Sequence, residues 1–185
     1  MTNRIACVLI LAAAVCLAAP AAAQQTAATT AAPQSFNAQT ALVNDLGTLS
    51  DKFTGLARVM AGKYDWRPGP GVRSVADVFN LIVNENKMIT GLITGSGGGR
   101  GAGMQGGTPI TDPEKMQEAL RASYADLKQA LSGLSESDLN ASVRLFGRDM
   151  TKGGAVLLLM LDQHEHLGQS IAYARSNSVV PPWSK

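Results

Sequence analysis

The sequence predicts an all-α protein, built as a single four-helix bundle with a long glycine-rich crossover loop. Two observations favour helices. Only 5% of the residues are aromatic, and apolar residues recur every three or four positions along four separate segments. The third observation is a stretch of thirteen residues, Gly95 to Gly107, that contains eight glycines and separates the second segment from the third. Four amphipathic segments with one long connection are typical of a helix bundle.

The first 23 residues are predicted to be a cleaved signal peptide. Arg4 provides the positive start, an apolar core follows, and the small residues Ala21 to Ala23 form the expected cleavage site. The apolar core is too short to cross a membrane as a helix. We therefore expect an exported protein, periplasmic or secreted, with no membrane attachment after cleavage. Residues 24–35 are expected to be a flexible low-complexity tail, which leaves residues 36–185 for the bundle domain.

Charge and cysteine content narrow the classes of function. Lysine and arginine number 16 against 14 acidic residues, and one positive charge leaves with the signal peptide. Nucleic-acid-binding domains carry a strong basic excess, so this balance argues against a nucleic-acid partner. Both cysteines, Cys7 and Cys16, lie in the signal peptide. The mature chain is therefore expected to have no disulfide, no cysteine ligand and no cysteine nucleophile.

The first two helices have recognisable ends. The first is predicted from Asn37 to about Gly62, and the breaker residues 68–71 follow it. The second is predicted to begin after Ser74, whose side chain can form a capping box with Asp77 three residues later. These signals predict a turn-rich loop between two long helices.

Glu85 interrupts the apolar stripe of the second helix. Its neighbours on the stripe, Ile82 and Ile89, are apolar. A carboxylate on a buried face is costly unless it is paired or bound to a metal. Two interpretations remain open: the carboxylate reaches water at the rim of the bundle, or it meets the helix that carries His166.

The glycine-rich segment contains a GxGxxG match at residues 101–106. A dinucleotide site needs a strand before that motif and a helix that opens directly from it, whereas here a helix precedes the motif and Pro109 follows it. We therefore interpret the segment as a linker. The third helix is predicted to begin at Thr111, with Glu114 completing a capping box and Pro113 in the first turn.

Short elements connect the third helix to the fourth. Residues 135–138 are predicted to open a helical turn, because a serine is followed three positions later by an aspartate. Residues 143–146 are predicted to form a brief extended piece. The fourth helix is predicted to start near Thr151 and to end before Pro181.

The fourth helix holds both histidines of the chain. Asp162 and His166 are four residues apart, so they lie on one face at a spacing that lets two side chains hold one metal ion. His164 points nearly the opposite way. Periodicity leaves two orientations open. Either the face with His164 and Leu167 is buried, or the face with Asp162, His166 and Gln169 is internal.

Several segments of the chain resemble the DinB-like family of four-helix bundles. They are YDWRP at 64–68 and PGVRSV at 70–75 between the first two helices, then EHLGQ at 165–169, YAR at 173–175 and VVPP at 179–182 at the end of the chain. Together with the helix spacing, the resemblance covers essentially all of residues 40–183. It implies the same bundle fold that the periodicity predicts.

The resemblance also implies a metal site. In that family three histidines typically bind a divalent ion, often nickel or zinc: one from the second helix and two from the fourth, in an H-x-x-x-H arrangement. Here only His166 matches, Asp162 stands at the partner position, and Leu81 occupies the helix-two position. Glu85 lies one turn beyond Leu81, so Asp162, His166 and Glu85 would form a rebuilt site suited to manganese, iron or zinc. The alternative is a branch that has lost the metal and kept the scaffold.

Two functions are consistent with these residues. The first is an exported metal-dependent enzyme, a hydrolase or a transferase acting on a thiol or a small electrophile, as some members of the family are. Asp162, His166 and Glu85 would hold the metal, or Glu85 would act as general base, and His164 and Gln169 would support the ligands. The second is a non-catalytic bundle that binds a small molecule or a protein partner, with a homodimer as one arrangement.

Other residues near the motifs also have more than one interpretation. Arg73 and Arg175 could each bind an acidic group of a substrate. Each could equally cap a helix end or pair with a nearby aspartate, Asp77 or Asp65. Trp66 is expected to wedge the turn between the first two helices.

Overall fold

The computed structural model describes residues 36–96 and 108–184. This part of the chain contains four long helices, α1 (Ala38–Val59), α2 (Val75–Thr94), α3 (Pro113–Ser132) and α5 (Lys152–Ser176), a short helix α4 (Glu136–Asn140), and two strands, β1 (Ser142–Leu145) and β2 (Arg148–Thr151). A 3₁₀ turn at Ala61–Lys63 follows α1. The expected signal peptide at 1–23, the tail at 24–35 and the GxGxxG match lie outside the described residues.

The four long helices form the bundle that the sequence predicts. The helices α1 and α2 each pack against both α3 and α5, and their apolar faces meet in one core. Near its centre the Phe53 ring of α1 packs edge-to-face on Phe79 of α2 and stacks on Tyr124 of α3, with ring centroids 6.4 and 6.5 Å apart. The all-α prediction is confirmed. Among the described residues, no helix combines the length and the apolar character that crossing a membrane requires.

Side-chain caps set where the helices begin. At α2 the Ser74 hydroxyl accepts a hydrogen bond from the Asp77 N–H at 3.2 Å, and the Asp77 carboxylate accepts one from the Ser74 N–H at 2.8 Å. At α5 the Thr151 hydroxyl accepts from the Gly154 N–H at 3.0 Å. Each cap satisfies a backbone donor that has no partner within its helix, so both helices start where the sequence predicts.

The start of α3 differs from the prediction by one residue. Asp112 caps the helix, because its Oδ1 accepts from the N–H groups of Glu114 and Lys115 at 3.1 and 2.8 Å. Pro113 occupies the first helical position, where its fixed φ and missing N–H cost nothing. The residue before a proline is held extended, as a cap must be. The prediction of Thr111 as the cap was therefore wrong.

The extended piece predicted at residues 143–146 is one strand of a β-hairpin. The strands β1 and β2 pair antiparallel, with Leu145 opposite Arg148. Phe146 and Gly147 make the two-residue turn, both with positive φ, 50° and 78°. Leu145 is buried in the bundle core, so the turn end of the hairpin is anchored against the helices.

Candidate metal centre

Glu85 is a buried carboxylate of α2. The residue is only 9% exposed and lies on the stripe between Ile82 and Ile89, which are both fully buried. Its Oε2 atom is shielded from solvent and has no hydrogen-bond partner among the described residues. Of the two positions that the sequence left open, the structure supports the second, because Glu85 is largely buried and offers a ligand atom close to those of α5.

Glu85 meets Asp162 and His166 of α5. Each of the three residues offers a ligand atom, and these atoms all lie within 4.8 Å of one another. His166 Nε2 is 3.5 Å from Asp162 Oδ2. We refer to Glu85, Asp162 and His166 as the acid–histidine cluster. A buried carboxylate oxygen without a partner, beside two further donors, is an arrangement that a bound cation would stabilise.

The Glu85 carboxyl keeps its proton to an unusually high pH. Burial, as the larger cause, and the neighbouring Asp162 raise the pKa of Glu85 from 4.5 to about 8. Asp162 contributes because it accepts a hydrogen bond from the protonated group and repels the ionised one. Arg73 and Gln163 lower the pKa of Glu85, but by less. A divalent cation would have to displace this proton at neutral pH, so metal binding and deprotonation are coupled.

A chain of hydrogen bonds fixes the ring of His166. Its Nδ1 is 2.9 Å from Gln169 Oε1, Gln169 Nε2 donates to Tyr173 Oη at 2.7 Å, and Tyr173 Oη donates to the Arg73 carbonyl oxygen at 3.2 Å. A carbonyl can only accept, so it commits the Tyr173 proton and makes the Gln169 amide the donor to Tyr173. Gln169 Oε1 then accepts from His166 Nδ1–H, so Nε2 is the ring nitrogen that faces Asp162.

The family resemblance is carried by the loop before α2, residues 64–75, and by the end of α5, residues 165–175. These two segments meet at Tyr173. The ring of Trp66, in the loop before α2, packs edge-to-face on the Tyr173 ring with centroids 5.2 Å apart. The Tyr173 hydroxyl holds the Arg73 backbone at the other end of that loop. Arg67, rather than Arg73, pairs with Asp77, at 3.8 Å. The loop is therefore fastened to the helix that carries His166.

His164 lies in different surroundings from His166. Its Nε2 is 2.7 Å from Asp45 Oδ2 of α1, and the two side chains are 44% and 35% exposed. Two residues along a helix correspond to a rotation of about 200°, so His164 projects away from the cluster. The structure gives no support to the predicted role of His164 beside the ligands. Gln169 does contact His166, and its supporting role stays a prediction.

The buried line of α5 runs between the two faces that the periodicity suggested. Gln163 is fully buried, and Leu159 and Leu167 lie buried one turn before and one turn after it. The acid–histidine cluster flanks this line on one side and His164 flanks it on the other. Each proposed orientation was therefore correct only in part, because Leu167 of the first face and Tyr173 of the second are both buried. Residue 163 stands midway between the two faces at 100° per residue.

A polar network that the sequence analysis missed surrounds Gln163. Tyr124 Oη donates to Gln163 Oε1 at 2.8 Å, Gln163 Nε2 donates to Asn86 Oδ1 at 2.7 Å, and Asn86 Nδ2 donates to Ser123 Oγ at 3.1 Å. All four residues are buried, and Asn86 directly follows Glu85. The available signal was that Asn86 and Gln163 are polar residues at the core spacing of their helices.

A cavity of about 450 Å³ opens at the acid–histidine cluster. Its walls are mostly apolar side chains of α2, α5 and the hairpin, and Arg73 also lines it. This volume lies within the range of small-molecule sites. Leu81, which occupies the position where the resemblance expects a third histidine, lines the same cavity.

The chemistry of the cluster fits a divalent ion. Oxygen and imidazole donors bind such ions at about 2.0–2.2 Å, so three donors around one ion lie roughly 3–3.6 Å apart. Side-chain shifts on the order of an ångström would bring the three atoms to that spacing. Two carboxylates and one imidazole suit manganese, iron or zinc. Three protein donors would leave a bound ion able to take up a water or a substrate as a further ligand.

Comparisons with known proteins agree with this architecture. The sequence model of the DinB superfamily matches residues 48–170. A DinB-like protein from Bacillus cereus has a similar fold, with a TM-score of 0.66 and 18% identity over 79% of this chain and 97% of its own. One from Bacillus subtilis has a TM-score of 0.62 and 17% identity, over 75% and 92%. No curated protein matches the chain. Because the superfamily model covers about two thirds of the sequence, the chain belongs to the DinB superfamily.

Proposed function

We propose that this protein is an exported divalent-metal enzyme, a hydrolase or a transferase that joins a thiol to a small electrophile. One observation carries the proposal. The buried Glu85 carboxylate has an oxygen without a partner, and it faces Asp162 and His166 from another helix. A protein that only needed a stable core would gain from an apolar residue at position 85.

The cluster residues have distinct roles in this proposal. Asp162 and His166 hold the metal, and Glu85 is either the third ligand or a general base whose pKa lies near the working pH. When bound, the ion supplies Lewis acidity, which polarises an electrophile and lowers the pKa of a water or thiol. Gln169 keeps the His166 ring oriented, and the apolar cavity wall limits the access of bulk water.

The nucleophile in this proposal comes from solution. Both cysteines lie in the predicted signal peptide, so the proposed mature chain has no cysteine, and both histidines lie on α5. A serine–histidine arrangement has no candidate, because His166 contacts a carboxylate and Gln169, and His164 contacts Asp45. Water would make the protein a hydrolase, and a small thiol would make it a transferase.

A second candidate function is a non-catalytic bundle that binds a small molecule. The raised pKa of Glu85 favours it, because a proton held between Glu85 and Asp162 can satisfy the cluster without any metal. The leucine at position 81 also removes one donor that the family resemblance would supply. The two candidates differ in whether the native protein contains stoichiometric metal.

Metal analysis of untagged mature protein tests the proposal. We expect about one equivalent of manganese, iron, zinc or nickel after purification or after supply of each ion. The Asp162→Ala, His166→Ala double variant should contain none and should keep its helical content. A wild-type site that stays empty with all four ions would exclude the enzyme and leave the non-catalytic bundle.

Export and assembly are part of the same proposal. The signal peptide should be removed after Ala23, so the mature protein would begin at Gln24 and be found in the periplasm or the medium. N-terminal sequencing of protein from those fractions checks this. Light scattering on the mature protein distinguishes a monomer from the proposed homodimer.

A further inference from the structure

Phe146 occupies an unusual position at the cavity. It is the first residue of the two-residue turn between β1 and β2, with a φ of 50°, and it is 62% exposed. Such turns favour Asn, Asp or Gly at this position, and a residue with a bulky side chain pays about 1 kcal/mol or more for left-handed φ. A large apolar side chain is therefore held at a strained, solvent-exposed site where a small polar residue would suit the fold better.

The strained residue lies where a ligand would contact it. Phe146 lines the cavity that contains the acid–histidine cluster, together with Leu81 and Met88 of α2 and Leu158 of α5. Leu158 is itself 42% exposed. Apolar groups from three elements thus face one opening and gain from being covered. Strain at such a position is typical of a functional residue.

Arg73 gives the cavity a charged edge. It is the one arginine or lysine among the described residues that line the cavity. Its guanidinium has no ion-pair partner within the described part of the chain, whereas the nearby Arg67 pairs with Asp77. The Arg73 backbone is held by Tyr173. The guanidinium acts on Glu85 and Asp77 only from a distance. Because it forms no close ion pair and its backbone is anchored, it is suited to bind a carboxylate through two parallel hydrogen bonds.

We infer that the cavity binds a small amphiphilic carboxylate, with its carboxylate on Arg73 and its apolar body covered by Phe146. This inference names a substrate class for the proposed enzyme. It rests on the proposed function only because both concern the same cavity. Asp162, which also lines the cavity, repels an anion, so the ligand carboxylate is directed to Arg73. Phe146 is then a specificity-determining residue, which selects ligands by their apolar length.

Binding of simple probes to the full mature protein tests the inference. Octanoate, octan-1-ol and acetate are titrated by calorimetry in EDTA, so that no metal can hold the carboxylate. We expect octanoate to bind about tenfold more tightly than octan-1-ol and acetate to bind too weakly to measure. Arg73→Gln should reduce octanoate to the affinity of octan-1-ol, and Arg67→Gln, as the matched control, should leave it unchanged.

Phe146→Asn separates a binding role from a structural one. Asparagine tolerates the left-handed conformation, so the variant should unfold at the same temperature as wild type or higher. Its octanoate affinity should nevertheless fall about fivefold. Phe36→Asn is the matched control, since Phe36 is also exposed and does not line this cavity. A purely structural role would lower the unfolding temperature and leave octanoate affinity as it was.

The outcomes separate this inference from the proposed function. Equal affinity for octanoate and octan-1-ol, or octanoate binding that neither Arg73→Gln nor Phe146→Asn weakens, would overturn the inference. Metal uptake with no octanoate binding would overturn it and leave the enzyme proposal standing. Selective octanoate binding by a protein that takes up no metal would support it and exclude the enzyme. Phe146→Asn changes neither a proposed metal ligand nor a charge near the cluster, so it should keep the metal content of wild type.

Discussion

His164 and His166 are two residues apart on one helix, yet different groups face them. His164 pairs with Asp45 of α1 in an ion pair that is open to solvent. The His166 side chain is 16% exposed and lies beside a carboxylate of α2 with an unpaired oxygen. The comparison teaches that the surroundings supplied by the neighbouring helix determine how strongly each histidine interacts with its carboxylate. Solvent screens the His164–Asp45 pair, whereas burial strengthens the electrostatic interactions of His166.

The largest expected effect comes from removing each histidine in turn. His166→Ala should lower the affinity for zinc or manganese by about 100-fold or more, because losing a ligand costs at least as much as losing its support. His164→Ala should change it by less than about threefold. Competition with a chelating dye measures both. Similar losses in the two variants would show that the metal is not bound at the acid–histidine cluster.

The next effect concerns Gln163, which lies between the two histidines. Gln163→Leu leaves the Tyr124 hydroxyl and the Asn86 amide oxygen buried without partners, so the free energy of unfolding should fall by about 2–4 kcal/mol. Urea unfolding measures this loss. Adding Tyr124→Phe should cost less than the two single changes together, because one orphaned hydroxyl is then removed. Strictly additive losses would contradict a direct Tyr124–Gln163 bond.

A smaller effect is the pH dependence that Glu85 imposes on the metal-free protein. Its pKa is about 8 when folded and near 4.3 when unfolded, so only the folded state keeps the proton between those values. Stability from this group is present below about pH 4.3 and is lost as pH rises through 8. In EDTA, wild type should lose about 1–3 kcal/mol relative to Glu85→Gln between pH 6 and pH 9, because about two pH units separate pH 6 from the folded pKa. Parallel pH profiles would mean that Glu85 titrates normally.

The smallest effect is expected at the solvent-exposed pair of Asp45 and His164. Asp45→Asn removes the partner of His164 and should lower the free energy of unfolding by less than about 1 kcal/mol. The difference should shrink in high salt, because exposed charges are screened. Thermal unfolding at two salt concentrations measures it. A loss that persists in high salt would indicate that the Asp45–His164 pair is held by more than exposed electrostatics.

The sequence predicts the local structure well because the signals for it are local. Ser74 with Asp77 and Thr151 mark helix starts through hydrogen bonds that close within three residues. The error at Thr111 arose because two adjacent residues can both cap, and Pro113 chose between them. The second strand was missed, since four polar-rich residues carry little strand signal and the pairing partner forms the pattern.

The acid–histidine cluster could be predicted only in part. The spacing of Asp162 and His166 follows from helix geometry, but their distance to Glu85 depends on how α2 and α5 are rotated against each other. Hydrophobic periodicity could not give that rotation, because the start of α5 is apolar on all sides. Gln163 lies at the centre of the buried line of α5. A periodicity pattern that counts only apolar residues places a polar residue such as glutamine outside the buried face, so it misses this line.

The hydrogen bond between Gln163 and Asn86 also determines how the residues of the acid–histidine cluster could be replaced by other metal ligands. Moving α5 past α2 by one turn, about 5.4 Å, would separate Gln163 from Asn86 and strand both side chains in an apolar interior. Gln163 and Asn86 therefore oppose a translation of α5, although neither side chain would contact a bound ion. An engineer who wanted three imidazoles would substitute histidine at positions 81 and 162 and could leave the backbone unaltered.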